Sequence, residues 1–361
     1  MELAGTELGE RGKNRYKIGR EGVGGDGIGC CAGFNISSIP AEHRQYKPEA
    51  ILIMLITVIY YILYTPCIIS LWKHKSENTC YTLLFFIGIT DLSILWMIGL
   101  LHGVLALEGA MFCSHPTLIY FTGILMTALW MVESSADLLL AIDRCTETIS
   151  PWAWEILFSG YRIHIWLLGI CMYALHWAFF QKPALFNGMF FVWMFNPYVG
   201  YQSVDESKYF VLLHLIHNVV IAISVPSIYL LFTFAFWHKQ CHHQAHISHA
   251  KKMAFLQVFI LSAMNSLASF IYVLMQVMEL NQWMITFTHF DWISVHGAPS
   301  IVFLLLNKTI RNDCRKMIKN IFGPTKIAGR IFVLIKNIFH LNHVYPQQNA
   351  VIVLPTPPNR Y

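Results

Sequence analysis

The sequence has few charged residues for its length. Asp, Glu, Lys and Arg make up 12% of its 361 residues, whereas a typical soluble chain contains about 25%. Hydrophobic residues make up 56%, and the mean hydropathy is +0.50. This composition predicts a protein that crosses a membrane several times. The formal net charge of +5 is small and lies mostly near the chain ends, as membrane topology alone would require, so no nucleic-acid partner is expected.

Several motifs of catalysis and cofactor binding are also missing. The nine cysteines contain no Cys-Xaa-Xaa-Cys pair, and the chain has no His-Glu-Xaa-Xaa-His sequence and no Gly-rich phosphate-binding loop. The last long apolar stretch, 285–306, contains no lysine, which excludes a retinal protein that depends on a Schiff base. We therefore expect neither an enzyme nor a bound cofactor.

Seven apolar stretches of spanning length, about 20 residues each, organise the chain. They predict an all-α membrane protein with a seven-transmembrane helix bundle over residues 49–306, between an N-terminal tail at 1–48 and a C-terminal tail at 307–361. The predicted spans are 50–71, 81–101, 118–142, 163–180, 210–237, 254–278 and 285–306.

The loops between these stretches differ in basic residues. Loops after the first, third and fifth stretches carry most of the lysines and arginines, while those after the second, fourth and sixth carry only Lys182 and Lys208. By the positive-inside rule, the N-terminus is predicted outside the plasma membrane and the C-terminus in the cytosol. The N-terminal tail has no apolar core of a cleavable signal peptide, so the first span is expected to act as a signal anchor. The sequon at Asn35 predicts a glycosylated tail.

The C-terminal tail begins with an amphipathic pattern. Apolar residues at helical spacing oppose a basic face until Gly323 and Pro324 end the pattern. This pattern predicts a short helix along the inner leaflet of the lipid bilayer. Cys314, on its apolar face, is the candidate for lipidation.

The third stretch retains acidic side chains inside its apolar run. Glu133 and Asp137 lie within 118–142, and Asp143 and Arg144 follow directly. Because carboxylates are costly in hydrocarbon, this span is predicted to face other helices rather than lipid. The Asp143-Arg144 pair resembles the Asp-Arg-Tyr switch of seven-span G-protein-coupled receptors.

Asp91 lies near the middle of the second stretch, at a depth comparable to that of Glu133. One hypothesis is that the two acids share a proton or a cation, since like charges in a low dielectric cannot both stay ionised unpaired. The alternative is that each acid is satisfied by Ser, Thr or Asn groups inside the bundle. Two prolines, Pro226 and Pro299, break backbone hydrogen bonds in the fifth and seventh stretches and are candidate hinges.

A ligand pocket is expected between the third, fifth, sixth and seventh spans, where aromatic, Met and polar residues fit an apolar pocket with a few polar anchors. The same residues would also fit ordinary packing. The lining candidates, chosen by depth and facing, are Thr122, Met126, Trp130, His214, His217, Tyr272, Gln276, His289 and Trp292.

Long phrases of the chain resemble a known family of receptors. From about residue 51 to 311 the chain is similar to the nematode serpentine chemoreceptors of class T. The phrases that carry the resemblance are TPCIISL, NTCYTLLFFIGITDLSIL, FCSHPTLIYFTGIL, AIDRCTE, KPALFNGMFFVWMFNPYVGY, SLASFIYVLMQ and SVHGAPSIVFLLLNKTIR.

This resemblance implies a rhodopsin-like bundle in the plasma membrane, and specifically in sensory cilia. Its implied partners are a small environmental or pheromone-like molecule, a heterotrimeric G protein, and a homo- or hetero-oligomeric partner. Arg144 would be the switch arginine, Asp91 the mid-membrane acid and Pro299 the proline of the seventh-helix motif. The loop at 181–209 has no cysteine, so Cys113 is predicted to form a disulfide with Cys30 or Cys31.

Two other classes of function remain as alternatives. A ligand-gated channel or carrier would need a continuous polar path through the bundle, whereas the buried acids cluster in the second and third spans. A metal-dependent membrane hydrolase would need histidines and acids that converge with an open coordination position. The residues available for such a centre are His214, His217, His289, Asp291 and His296.

Overall fold

The computed structural model describes residues 36–243, 249–278 and 281–322. Six helices in this part of the chain are long and apolar enough to cross a membrane, and a bent pair of helices forms a seventh span. The prediction of an all-α seven-transmembrane bundle is therefore confirmed. Spans 1 to 7 are Lys47–His74, Thr79–Glu108, Pro116–Ile149, Arg162–Phe180, Leu212–His243, His249–Val277 and the pair Gln282–Gly297 with Pro299–Leu306.

Span 3 is the central helix of the bundle. Its most apolar window is 72% buried, against 22% for span 1 and 17% for span 4. Glu133 and Asp137 are accordingly 4% and 3% exposed. The span that carries the acids therefore packs against other helices, while the peripheral spans present most of their apolar side chains to lipid.

Span 2 is not a regular α-helix throughout. A π-helical segment, Trp96–Leu101, separates Thr79–Leu95 from His102–Glu108. Such segments widen the helix and change the backbone hydrogen-bond pattern. Here the carbonyl of Ile98 accepts a hydrogen bond from Nε2 of His289 in span 7, at 2.9 Å.

Span 7 is broken between Gly297 and Pro299, where its two helices meet at an angle of 44°. Proline lacks an amide hydrogen and clashes with the preceding turn, so a break at this position is expected. Gly297 lets span 7 approach span 1 closely, because a Cβ there would lie 2.0 Å from Cδ2 of Tyr60. Pro226 lies inside the continuous helix of span 5. A hinge role for either proline stays a prediction.

A short β-hairpin covers one end of the bundle, which we call the hairpin end. Its strands, Leu185–Asn187 and Val192–Met194, are antiparallel and lie between spans 4 and 5. Phe191 in the turn has a φ of 55°, and its ring packs edge-on against His102, with centroids 4.4 Å apart. The chain before span 1 also joins the hairpin, because the hydroxyl of Tyr46 donates to the carbonyl of Met189 at 2.8 Å. The apolar pattern of the sequence did not predict this hairpin.

The opposite end of the bundle, which we call the Arg144 end, carries the helix Pro151–Phe158 and the first turns, up to Cys314, of the tail helix Lys308–Phe322. The predicted amphipathic helix after span 7 is thus confirmed. The chain divides into two compact units after Cys314, and the first turns of the tail helix belong to the unit that contains the spans.

The tail helix is attached to span 1 by polar contacts. Asp313 accepts hydrogen bonds from Oγ of Ser70 at 3.1 Å and from Nε2 of His74 at 2.9 Å. The hydrogen bond from His74 holds the pKa of the Asp313 carboxyl below its usual range. Cys314 is only 2% exposed. The predicted lipidation of Cys314 stays a prediction.

Two further predictions fall on the N-terminal region. Cys113 is disulfide-bonded, but its predicted partners, Cys30 and Cys31, lie outside the described residues. The predicted glycosylation site, Asn35, also lies outside them. The pairing and the glycosylation therefore stay predictions.

Candidate functional site

A cavity of about 860 Å³ opens at the hairpin end, a volume typical of sites for small molecules. The lining combines spans 3, 5, 6 and 7 with the hairpin and the residues after it. Six of the nine residues expected to line a pocket do so, namely Met126, Trp130, His214, Tyr272, Gln276 and Trp292. Glu206, on the exposed turn before span 5, is the only Asp, Glu, Lys or Arg residue among the described lining residues.

A chain of hydrogen bonds fixes the polar side of the cavity. Nε1 of Trp130 donates to Oδ1 of Asn218 at 3.2 Å. Because an indole nitrogen only donates, this bond orients the Asn218 amide so that its Nδ2 faces His214, at 3.2 Å. Nε2 of Gln276 lies 2.9 Å from Nδ1 of the same imidazole. His214 is thus held between two amides at the edge of the cavity.

Two buried polar atoms of the lining have no hydrogen-bond partner among the described residues. They are Oε1 of Gln276, which accepts, and Nε1 of Trp292, which donates. Buried polar atoms are normally paired, and each unpaired one costs stability. A bound molecule that supplies the missing partners would remove this cost.

The other three pocket candidates lie elsewhere. His217 bonds to Oγ of Ser134 at 2.8 Å and to the hydroxyl of Tyr173 at 3.2 Å, which links spans 3, 4 and 5. His289 stacks on His102, with ring centroids 3.7 Å apart. Thr122 is buried on span 3 outside the cavity lining. Depth and facing in the sequence placed all three near the cavity, but the rotation of their helices turns His217 and His289 toward other helices.

Beneath the cavity, the structure brings together Asp91 of span 2, Glu133 of span 3 and His296 of span 7. Asp91 accepts hydrogen bonds from the Tyr64 hydroxyl at 2.6 Å and from Nδ1 of His296 at 2.9 Å. Glu133 accepts from Nδ2 of Asn265, at 2.8 Å to each oxygen. The two acids paired by the sequence therefore share one cluster, and each also has its own neutral donor.

This cluster contacts the floor of the cavity. The rings of Trp130 and Trp292, which line the cavity, lie edge-on to His296 with centroids 6.1 Å and 6.3 Å away. Both indoles thus pack against His296, which in turn bonds to Asp91. The contact between His296 and Asp91 was not predicted from the sequence, because 205 positions separate the two residues in the chain.

At the Arg144 end, the guanidinium of Arg144 is held by several acceptors. Its Nε donates to Oδ2 of Asp143 at 2.8 Å, its Nη2 donates to the same oxygen, and its Nη1 pairs with Glu147 at 2.6 Å. Asp143 is fully buried and also accepts from Oγ1 of Thr79 at 2.7 Å and Nε1 of Trp154 at 2.9 Å. Spans 2 and 3 and the helix Pro151–Phe158 thus meet at one carboxylate. The sequence singled out the Asp-Arg pair but not Thr79 or Trp154.

The residues proposed for a metal hydrolase do not converge on one centre. His214 bonds to amides at the cavity, His217 bonds to Ser134, and His289 stacks on His102. His296 alone among them joins the cluster of Asp91 and Glu133. Among the described residues, those five side chains therefore form no single catalytic site.

The fold and this site define a multi-pass membrane receptor of the serpentine type, with a cavity at one end of seven spans and a held Asp-Arg pair at the other. Residues 30–326 match the family model described as serpentine type 7TM GPCR chemoreceptor Srt. The chain belongs to this family. It is also similar to serpentine receptor class T-55 of Caenorhabditis elegans, with 23% identity over 248 residues, which cover 66% of this chain and 67% of that protein. The resemblance inferred from the sequence is confirmed.

Proposed function

We propose that this chemoreceptor binds a small, uncharged and largely apolar molecule in the cavity at the hairpin end and activates a heterotrimeric G protein at the Arg144 end. The observation that carries the proposal is the cavity itself, whose floor contacts the buried cluster of Asp91, Glu133 and His296. The basic loops support an orientation with the hairpin end outside the plasma membrane. A place in sensory cilia follows from the family resemblance alone.

The lining supports an uncharged ligand. A charged molecule entering the bundle would need a fixed opposite charge to replace its water. Among the described lining residues the one acid, Glu206, lies on an exposed turn. The free acceptor on Gln276 and the free donor on Trp292 suit a molecule with a hydroxyl or an amide. The remaining lining is dominated by Met and aromatic side chains, which suit an apolar body.

Signal transfer is proposed to run through span 3. A ligand shifts a receptor between two states only by its differential affinity for them. Contact with Trp130 and Trp292 would change their packing on His296, and span 3 connects this region to Asp143 and Arg144. Freeing Arg144 from Asp143 would expose the guanidinium to the G protein.

The test is expression with a promiscuous Gα subunit and a calcium reporter, with a screen of volatile and water-soluble molecules. For an active compound, Trp292→Phe and Gln276→Leu should each reduce potency about fivefold to tenfold, because a hydrogen bond contributes about 1 kcal/mol. Trp283→Phe is the matched control, because Trp283 is 67% exposed and does not line the cavity.

Two results would contradict the proposal. One is an unchanged potency in both cavity variants at equal surface density. The other is a ligand-induced membrane current in cells that lack the G protein, which would favour the channel alternative.

A further inference from the structure

We infer that Asp91, Glu133 and His296 form a binding site for a divalent first-row transition metal ion of the Zn²⁺ class, inside the bundle and beneath the cavity. One candidate ligand atom from each residue lies within 4.8 Å of the other two. The three side chains come from spans 2, 3 and 7, and their residues are 0%, 4% and 0% exposed. An ion at this position would connect the three spans.

The charges in the cluster favour a divalent ion. Asp91 and Glu133 both accept hydrogen bonds from neutral donors, Tyr64 and Asn265, which suits two ionised carboxylates. Among the described residues, His296 is the only ion-pair partner of either acid. Uncompensated charge is costly inside a membrane protein. One divalent cation with two carboxylates and a neutral imidazole makes the cluster neutral, whereas a monovalent cation leaves one negative charge.

The imidazole is also oriented for coordination. Nδ1 of His296 lies 2.9 Å from Oδ1 of Asp91, so an ion that replaces the proton between these two atoms can bind both of them. Oδ1 of Asn265, the amide that bonds to Glu133, is buried and has no partner among the described residues. The cluster therefore offers an imidazole nitrogen, two carboxylates and an amide oxygen to one ion.

The type of donor selects the metal. Zn²⁺ is bound by imidazole nitrogen together with carboxylate oxygen, and imidazole suits first-row transition metals generally. Mg²⁺ and Ca²⁺ prefer all-oxygen sites. A site that includes His296 should therefore distinguish Zn²⁺ from Mg²⁺ and from Na⁺.

The experiment measures metal content in the purified full-length receptor, reconstituted in lipid nanodiscs. The parent for all variants replaces five histidines at and around the connection between spans 5 and 6 with alanine, because these could bind zinc adventitiously. They are His238, His242, His243, His246 and His249. After removal of metal with a chelator, the parent is titrated with Zn²⁺ and freed of unbound ion before elemental analysis.

We expect one tightly bound Zn²⁺ per chain in this parent. His296→Gln and Glu133→Gln should each weaken Zn²⁺ binding by at least about 100-fold. Loss of an outer-shell partner already weakens metal binding by up to about 100-fold, and loss of a direct ligand should weaken it at least as much. Asp137→Asn is the matched control, because Asp137 is an equally buried acid of span 3 that does not belong to the cluster. Zinc bound to the parent but retained by His296→Gln, or lost equally in Asp137→Asn, would overturn the assignment.

A second measurement guards against variants that fail to fold. An ion that binds the folded state raises its unfolding temperature, so Zn²⁺ should raise that of the parent while Mg²⁺ and Na⁺ at equal ionic strength should not. An unfolding temperature that Zn²⁺ does not raise would overturn the inference, and is the result expected if the two acids share a proton instead. An equal rise with Na⁺ would overturn it as well. Neither readout depends on a ligand or a G protein, so these results stand apart from the test of the proposed function.

Discussion

Asp143→Asn offers a direct test of the switch at the Arg144 end. The substitution keeps the shape of the side chain, and the remaining Oδ1 still accepts from Thr79 and Trp154. The new amide group in place of Oδ2 cannot accept from Arg144, which therefore loses both of its bonds to Asp143. Its remaining ion pair is with Glu147, whose side chain is 43% exposed, and exposed pairs contribute at most about 1 kcal/mol.

The size of the effect follows from these contacts. Hydrogen bonds to charged groups contribute about 1.5–3 kcal/mol, and some of this is recovered when the freed guanidinium meets water. A net loss of about 2 kcal/mol from the resting state shifts the equilibrium about 30-fold, since 1.4 kcal/mol is tenfold. A receptor that is active about 1% of the time would then be active about a quarter of the time.

The assay is basal second-messenger output per receptor at the cell surface, measured without ligand. Glu147→Gln is the matched control and should raise basal output much less, because the pair it removes is exposed. Arg144→Ala should keep surface expression and ligand binding but abolish the response. Normal signalling by Arg144→Ala at equal surface density, or unchanged basal output in Asp143→Asn, would refute the proposed switch.

Three other predictions concern stability and coupling. Asp91→Asn and Glu133→Gln should be non-additive in ligand response, by about 0.5–3 kcal/mol in a double-mutant cycle, and strict additivity would place the two acids in separate environments. Gly297→Ala should destabilise the receptor by about 1–3 kcal/mol through overpacking, which a thermal unfolding assay would detect. Gly169→Ala should not, because a Cβ there meets no atom of the described residues within 4 Å. Peptide mapping without reduction should find Cys113 linked to Cys30 or Cys31, by a disulfide that contributes about 2–4 kcal/mol to stability. A free Cys113 thiol in surface-expressed receptor would contradict this pairing.

The sequence by itself determined the number and approximate positions of the spans and the helix that follows them. These are local properties. A run of apolar residues favours the membrane over water wherever it occurs in a chain, and the amphipathic pattern around Cys314 extends over only a few helical turns. The Asp143-Arg144 contact was predicted for the same reason, since neighbours in the chain are neighbours in the helix. Family membership also followed from continuous phrases.

Only the tertiary structure decided which side chains meet. In a membrane, lipid and the bundle interior are both apolar, so hydropathy does not tell which face of a span is buried. The rotation of span 7 brings His296 to Asp91 across 205 positions, and that of span 5 turns His217 toward Ser134. The π-helical segment and the hairpin also depend on contacts with distant helices. The buried cluster exists because five spans pack together around it, and that packing is not a property of any single stretch.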